Sequence, residues 1–209
     1  MGEPPRRGER VIAAFDFDKT ISTRDNVVPF LRALVGRARL TRALLAISPQ
    51  LVRASLGDER RDAAKVALVR HTLTGYDAGR LAEVAADFAG EVVDRHLRPD
   101  VVERVAWHRN QGHELVMVSA SFTSYLDPIA ARLGFATVLA TELAVGDDGR
   151  LTGELVRPNV RGAEKVRRLD EWLGPGPAFV WAYGDSSGDR ELLTRADQGV
   201  RVGGRGASY

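Results

Sequence analysis

The sequence predicts an α/β fold in three layers, a parallel sheet with helices on both faces, carrying a small β-hairpin and an inserted all-helical block. Three observations predict it. Short apolar runs that end in polar residues alternate with single helical patterns, a glycine-bounded turn joins two short segments, and residues 23–96 contain no strand-like run. Strands separated by single helices imply right-handed crossovers and hence a mostly parallel sheet.

The first run, residues 11–17, has the β-forming composition of a buried strand and leads straight into Asp18, Lys19 and Thr20. Pro99 and Asp100 start a helix over 101–110, which stops before Gly112. The second strand, 115–118, is closed by Ser119, Ala120 and Ser121, and a helix over 124–133 ends at Gly134. A third strand covers 136–140. Residues 143–156, centred on Gly146-Asp147-Asp148-Gly149, form a hairpin. A helix over 160–173 leads to the fourth strand, 178–183, closed by Gly184 and Asp185. A short helix at 189–195 and a fifth strand at 200–202 complete the alternation.

The strandless segment reads as helices over 25–36, 38–56, 59–73 and 77–96, punctuated by Gly36, Pro49, Gly57 and Gly75. Its place straight after the first strand makes it a cap over the carboxyl edge of the sheet. The division is a core of residues 1–22 and 97–209 with a cap of 23–96; the tail 203–209 is expected to be disordered.

Composition bounds the function. With 44% hydrophobic and 28% charged residues the chain is globular, and a net charge of +2 argues against nucleic-acid binding as its main task. The absence of cysteine excludes disulfides, zinc ribbons and thiol catalysis. The charged, proline-containing N-terminus is neither a signal peptide nor a membrane span. A soluble cytoplasmic protein without stable membrane insertion is expected. His71, His96, His108 and His113 have no metal-binding spacing and are expected at the surface or half-buried. Arg32, Arg37, Arg39, Arg42 and Arg53, in a stretch with no acidic residue between Asp25 and Asp58, are expected on a solvated helix face.

Open parallel sheets bind ligands at the carboxyl ends of their strands. Here those ends carry Asp16 and Asp18, then Ser119, then Asp185 with Asp189 beyond, while Lys165 lies near the start of the helix before the fourth strand. Carboxylates brought that close repel unless a cation sits among them, and oxygen donors alone select a hard ion, magnesium being the expected one. Lys165 and the Ser119 hydroxyl would then hold a phosphoryl group, a constellation suited to phosphoryl transfer.

DFDKT at 16–20, VMVSAS at 116–121, Lys165 and GDSSGD at 184–189 together resemble the haloacid dehalogenase superfamily. The helical insertion after the first motif is similar to its phosphoserine-phosphatase-like branch (subfamily IB), which has a Rossmann-like core. The resemblance implies Asp16 as the nucleophile of an aspartyl-phosphate intermediate and Asp18 as general acid, then base. It implies Asp16, the Asp18 carbonyl and Asp185 as magnesium ligands, with Asp189 touching the metal or orienting its water. Ser119, the Ala120 amide and Lys165 would bind phosphate. Asp25 stands where that branch has a glutamate meeting a substrate amino group, Gly188 replaces an asparagine that contacts phosphate, and Arg60 and Arg61 are the candidates for a carboxylate-binding cap arginine. The expected substrate is a small phosphate ester, phosphoserine being the named guess.

Rival readings carry less. GDSSG is similar to the nucleophile segment of trypsin-like proteases, but that fold is all-β. DKT is shared with ion-pumping ATPases, which need membrane spans and carry threonine where Asp18 stands. A phosphotransferase or mutase on the same scaffold is the alternative enzyme, and a non-catalytic phosphate-binding protein the alternative of another class. A dehalogenase has no use for Asp18 and the metal carboxylates.

Overall fold

A computed structural model describes residues 8–50 and 58–203. The chain runs β1 (Arg10–Phe15), an irregular turn (Phe17–Ile21), α1 (Val27–Ala46), α2 (Asp58–Leu73), α3 (Ala78–Arg95), α4 (Pro99–Asn110), β2 (Glu114–Phe122), α5 (Thr123–Leu133), β3 (Thr137–Thr141), β4 (Leu143–Val145), β5 (Leu151–Leu155), α6 (Ala163–Leu173), β6 (Ala178–Gly184), a 3₁₀ turn (Ser187–Asp189), α7 (Arg190–Arg195) and β7 (Gln198–Arg201). The five strands of the main sheet lie in the order β3-β2-β1-β6-β7 and all pair in parallel. β4 and β5 form the antiparallel hairpin. The fold is the three-layer, Rossmann-like arrangement with its helical cap.

Strand alternation builds two cores. Ala13, Phe15, Leu115, Met117 and Tyr183 point to one side, where Val101, Val105, Ile129 and Phe135 of the α4–α5 layer meet them. Ile12, Ala14, Val116, Val118, Val180 and Ala182 point to the other, against Leu169 and Leu192 of α6 and α7. Period-two burial with apolar residues in both registers is what a sheet covered on both faces requires. β1 is central, and the backbone nitrogen of Asp16 still bonds the Tyr183 carbonyl at 2.9 Å.

The first apolar core continues into the cap. Phe30 of α1 and Phe88 of α3 lie 5.3 Å apart, and Phe30 is 4.6 Å from Tyr125 of α5, between ring centroids. α2 adds Leu68, Val69 and Leu73 to the same core and also packs on the hairpin, where Arg70 pairs with Glu154 at 2.6 Å. The cap segment after α2 also bonds the hairpin, Leu151 donating to the Tyr76 carbonyl at 2.8 Å.

Several boundaries differ from expectation. The first strand stops at Phe15; Asp16 is still extended, and the chain turns beyond it from Phe17, with Lys19 at φ 58°. The helix expected from residue 160 begins at Ala163; Gly162, at φ 56° and ψ −127°, precedes its first turn. The second strand extends to Phe122 rather than 118. The break expected at Gly36 is present as a residue with φ 73° inside α1, while 51–57 and the tail 204–209 lie outside the described residues. Arg32, Arg37, Arg39 and Arg42 are exposed, as expected; Arg53 lies outside the described residues.

His108 departs most. It is fully buried, with Nε2 2.8 Å from Tyr183 Oη and Nδ1 2.7 Å from His113 Nδ1. Arg104 donates to the same Tyr183 oxygen at 2.7 Å. The helical period of α4 turns His108 inward with Val101 and Val105. Burial, with Arg104 and His113 adding to it, pushes its pKa down to about 3. A histidine kept neutral in the fold but free to protonate when unfolded makes the unfolded chain bind more protons below its ordinary pKa. Its contribution is therefore intact above about 6.5 and is lost as pH falls. Between pH 6.5 and 5 the loss approaches about 2 kcal/mol for one proton. Urea unfolding at both pH values should show it as a difference between wild type and His108→Gln, which keeps polar groups but does not titrate. Equal pH dependence in the two proteins would refute it.

Candidate active site

The carboxyl edge of the sheet opens into a cavity of about 510 Å³ lined from the core by Asp16, Asp18, Ser119, Lys165, Asp185 and Asp189. Cap residues Asp25, Arg61, Asp62 and Lys65 form its far side, with apolar Val27, Ala64 and Leu68 between them. The fold thus brings Asp16, Asp18, Asp185, Asp189, Lys165, Ser119, Ala120 and Asp25 together. Arg61 also lines the cavity, whereas Arg60 is exposed and does not.

Local structure aims these groups. Past Asp16 the chain makes a turn in which Ser22 donates to the Phe17 carbonyl at 2.9 Å, and Lys19 is the one non-glycine residue with positive φ among the described residues. Such a conformation costs about 1 kcal/mol or more and persists only where the surroundings enforce it. At the end of β2 the pairing with β3 slips, Ser119 facing Ala140 but Phe122 facing Thr141. Ala120 and Ser121 fall in this slip, a device that re-aims side chains at strand ends. At the end of β6, Gly184 gives Asp189 room: a Cβ there would stand 2.5 Å from the Asp189 Cβ.

Lys165 is buried between two carboxylates, its Nζ donating to Asp16 Oδ1 at 2.6 Å and Asp189 Oδ1 at 2.5 Å. Thr20 donates to the other Asp16 oxygen at 3.1 Å. Asp189 Oδ2 accepts from the Ser186 nitrogen at 3.0 Å and its hydroxyl at 2.8 Å. Burial pushes the Asp16 carboxyl up to about 7, Lys165 pulling it down and Asp189 adding to the rise. Burial also works against the charges of Lys165 and Asp189, but their mutual attraction wins, so the lysine is raised and Asp189 lowered. Asp185 is raised by burial and by Asp189.

One oxygen from each of Asp16, Asp185 and Asp189 can be chosen so that all three lie within 4.8 Å of one another. An all-oxygen donor set of this size fits a hard divalent ion, which would also offset the burial and the neighbouring charge that raise Asp16 and Asp185. The Asp18 carboxylate is not in this cluster. Ser121 Oγ donates to its Oδ2 at 2.5 Å, and Asn26 donates to Oδ1 from its backbone at 3.1 Å and its amide at 2.8 Å. Burial, then the charge of Asp25, lifts Asp18 to about 6 against these bonds. The two neighbouring carboxyls therefore have different partners, Lys165 and Thr20 for Asp16, Ser121 and Asn26 for Asp18.

A family model described as haloacid dehalogenase-like hydrolase matches residues 13–194. The chain belongs to the haloacid dehalogenase-like hydrolase family. Among curated relatives, "Protein CicA" of Caulobacter vibrioides is 37% identical over 195 residues, covering 93% of this chain and 87% of that protein. A phosphoserine phosphatase of Streptomyces coelicolor is 27% identical over 198 residues, 93% of this chain and 44% of that protein. The crystal structure of a probable phosphoserine phosphatase from Vibrio cholerae shares the fold with a TM-score of 0.66 at 17% identity, covering 92% of this chain and 56% of that one. Asp16, Lys165 and Asp185 fall within the matched span, Asp16 and Asp185 just past the ends of β1 and β6 and Lys165 in the first turn of α6. Among the described residues no helix is long and apolar enough to cross a membrane.

Other residues of the site were not singled out in the sequence. Ser121 lies inside the quoted second motif, and Asn26 falls in the segment read as the first cap helix, with nothing to mark it. Lys65, Thr141 and Asn159 carried no signal: one lysine in the charged α2, one polar residue at the end of β3 and one in the connection after the hairpin. Gly188, the departure from the family pattern, leaves space used by Arg161; a Cβ on Gly188 would come within 3.0 Å of the Arg161 Cζ.

Proposed function

We propose that this enzyme hydrolyses small phosphate monoesters through an aspartyl phosphate on Asp16. The observation that carries the reading is the division of labour at the strand ends: Asp16, Asp185 and Asp189 converge around Lys165, while Asp18 is held apart by Ser121 and Asn26, with burial and the charge of Asp25 lifting it to about 6. Asp16 attacks phosphorus as the bond to the leaving oxygen breaks, and Asp18 gives that oxygen its proton. Asp18 then takes a proton from water as the water oxygen attacks the phosphoryl group, releasing phosphate and restoring Asp16. A carboxyl near 6 can perform both transfers at neutral pH. Lys165, the Ser119 hydroxyl and the Ala120 amide hold the phosphoryl oxygens. Magnesium bound by Asp16, Asp185 and the Asp18 carbonyl, with Asp189 beside it, would supply further neutralisation of the phosphoryl charge.

Residues 23–96 act as the cap and leave the core where Ser22 bridges Leu97. Their apolar patch of Val27, Ala64 and Leu68, with Asp25 and Arg61, forms the leaving-group side of the cavity. That mixture fits a small metabolite with an amine and an acid group, phosphoserine being the first to try.

The test is phosphate release from a panel of metabolite phosphates in magnesium or in EDTA. Release that requires magnesium and ranks the panel is expected. No release from any ester by folded protein would overturn the reading.

A further inference from the structure

We propose that Lys65 is a positioning residue for this reaction, docking cap helix α2 onto residues 119–121 and holding that strand end in its working geometry. The inference rests on the phosphatase reading above. It begins from a count of donors. Thr141 Oγ1 has one proton and two acceptors to serve, the Ala120 carbonyl at 3.0 Å and Asn159 Oδ1 at 2.8 Å, while its own oxygen accepts from the Val160 nitrogen at 3.2 Å. Thr141 can satisfy only one of the two. Lys65 brings three protons to the same place. Its Nζ bonds the Ala120 carbonyl, Asn159 Oδ1 at 2.5 Å and Thr141 Oγ1 at 3.4 Å, with the Phe122 ring centroid 4.7 Å away.

Asn159 makes the docking two-pointed. Its amide oxygen takes Lys65, and its amide nitrogen donates to Asp62 Oδ1 at 2.7 Å. Asp62 and Lys65 are three apart on α2 and so share a face. Two side chains of one cap helix thus grip one asparagine of the core.

The grip reaches the chemistry through Ala120. This residue lies in the slip between β2 and β3, flanked by Ser119 and by Ser121, whose hydroxyl holds Asp18. The Ser121 nitrogen in turn donates to Ser119 Oγ at 3.2 Å. Loosening the Ala120 carbonyl would shift both the proposed phosphate ligands and the hydroxyl that orients the proposed acid. Because the Lys65 protons are directed to core acceptors, its effect should not depend on which leaving group fills the cavity.

That independence is the test. Lys65→Met and Lys65→Arg are assayed on 4-nitrophenyl phosphate and on the best ester of the panel, and hydrogen exchange is followed in 62–73 and 119–122. For Lys65→Met, kcat should fall about 10²-fold on both substrates with little change in KM, the scale of an approximately 1 Å displacement. Exchange should rise in both segments, and Lys65→Arg should recover part of the loss. Adding Asn159→Ala to Lys65→Met, which also removes the bond to Asp62, should raise exchange in both segments further. A loss confined to KM for the better ester would instead make Lys65 a leaving-group contact, and unchanged kcat and exchange would sink the docking role. A wild type that hydrolyses nothing refutes the phosphatase reading, while the exchange arm still reports on the docking itself.

Discussion

Asp16→Asn is expected to abolish phosphate release, by at least about 10⁴-fold, the scale on which enzymes lose kcat when a residue of the nucleophilic machinery is removed. Asparagine cannot form the acyl phosphate, so binding and positioning alone would remain. The same substitution should not harm the fold. Asp16 is buried and its carboxyl is pushed up to about 7, so the ionised form pays for burial in the metal-free protein. Asparagine keeps an oxygen for Thr20 and leaves Lys165 its bond to Asp189. The sign follows: a carboxyl raised in the fold makes the native state bind more protons, so wild type should lose stability relative to the variant as pH rises from about 4 to 7 in EDTA. Thermal unfolding across that range reads this, and a stopped assay reads the activity. Activity within tenfold of wild type would remove Asp16 from the nucleophile's role.

The strand ends were legible in the sequence because their residues obey two constraints at once. Residues 11–15 had to be apolar in both registers for a strand buried on both faces, and the polar residue that follows could sit only at the carboxyl edge. Asp185 after the fourth run and Ser119 after the second followed the same rule. Lys165 was legible only through its place before the fourth strand, since its neighbours Glu164 and Arg167 read as a solvated face. In the fold the helix turns Lys165 inward, while Arg167 pairs with Glu164 at the surface. Lys65 shows the limit from the other side. Arg60, Arg61, Lys65 and Arg70 share one charged helix, and only the tertiary placement of Thr141 and Asn159, 76 and 94 residues away, selects the lysine. His108 shares the inward face of its helix with Val101 and Val105, and its burial is completed by Tyr183, 75 residues on.

Lys165→Met is expected to be the most destabilising substitution in the site. Wild type carries one ammonium between two buried carboxylates, and the variant leaves Asp16 and Asp189 facing each other without it. Removing one partner of a buried ionic cluster costs about 3–5 kcal/mol, because a charge remains in low dielectric. For a chain of this size that corresponds to a Tm lower by roughly 6–20 °C. Asp16 can relieve part of the cost by binding a proton, so the deficit should shrink as pH falls toward 5 in EDTA. Magnesium should shrink it too, by restoring positive charge among the same oxygens. The double variant Lys165→Met/Asp16→Asn should recover much of the lost stability, since one of the two stranded charges is gone. Activity should not return in any of these conditions, because the lysine is also assigned to the phosphoryl oxygens. If the single and double variants unfold alike, the carboxylates are not sharing the lysine's charge, and the electrostatic account of the cluster falls with it.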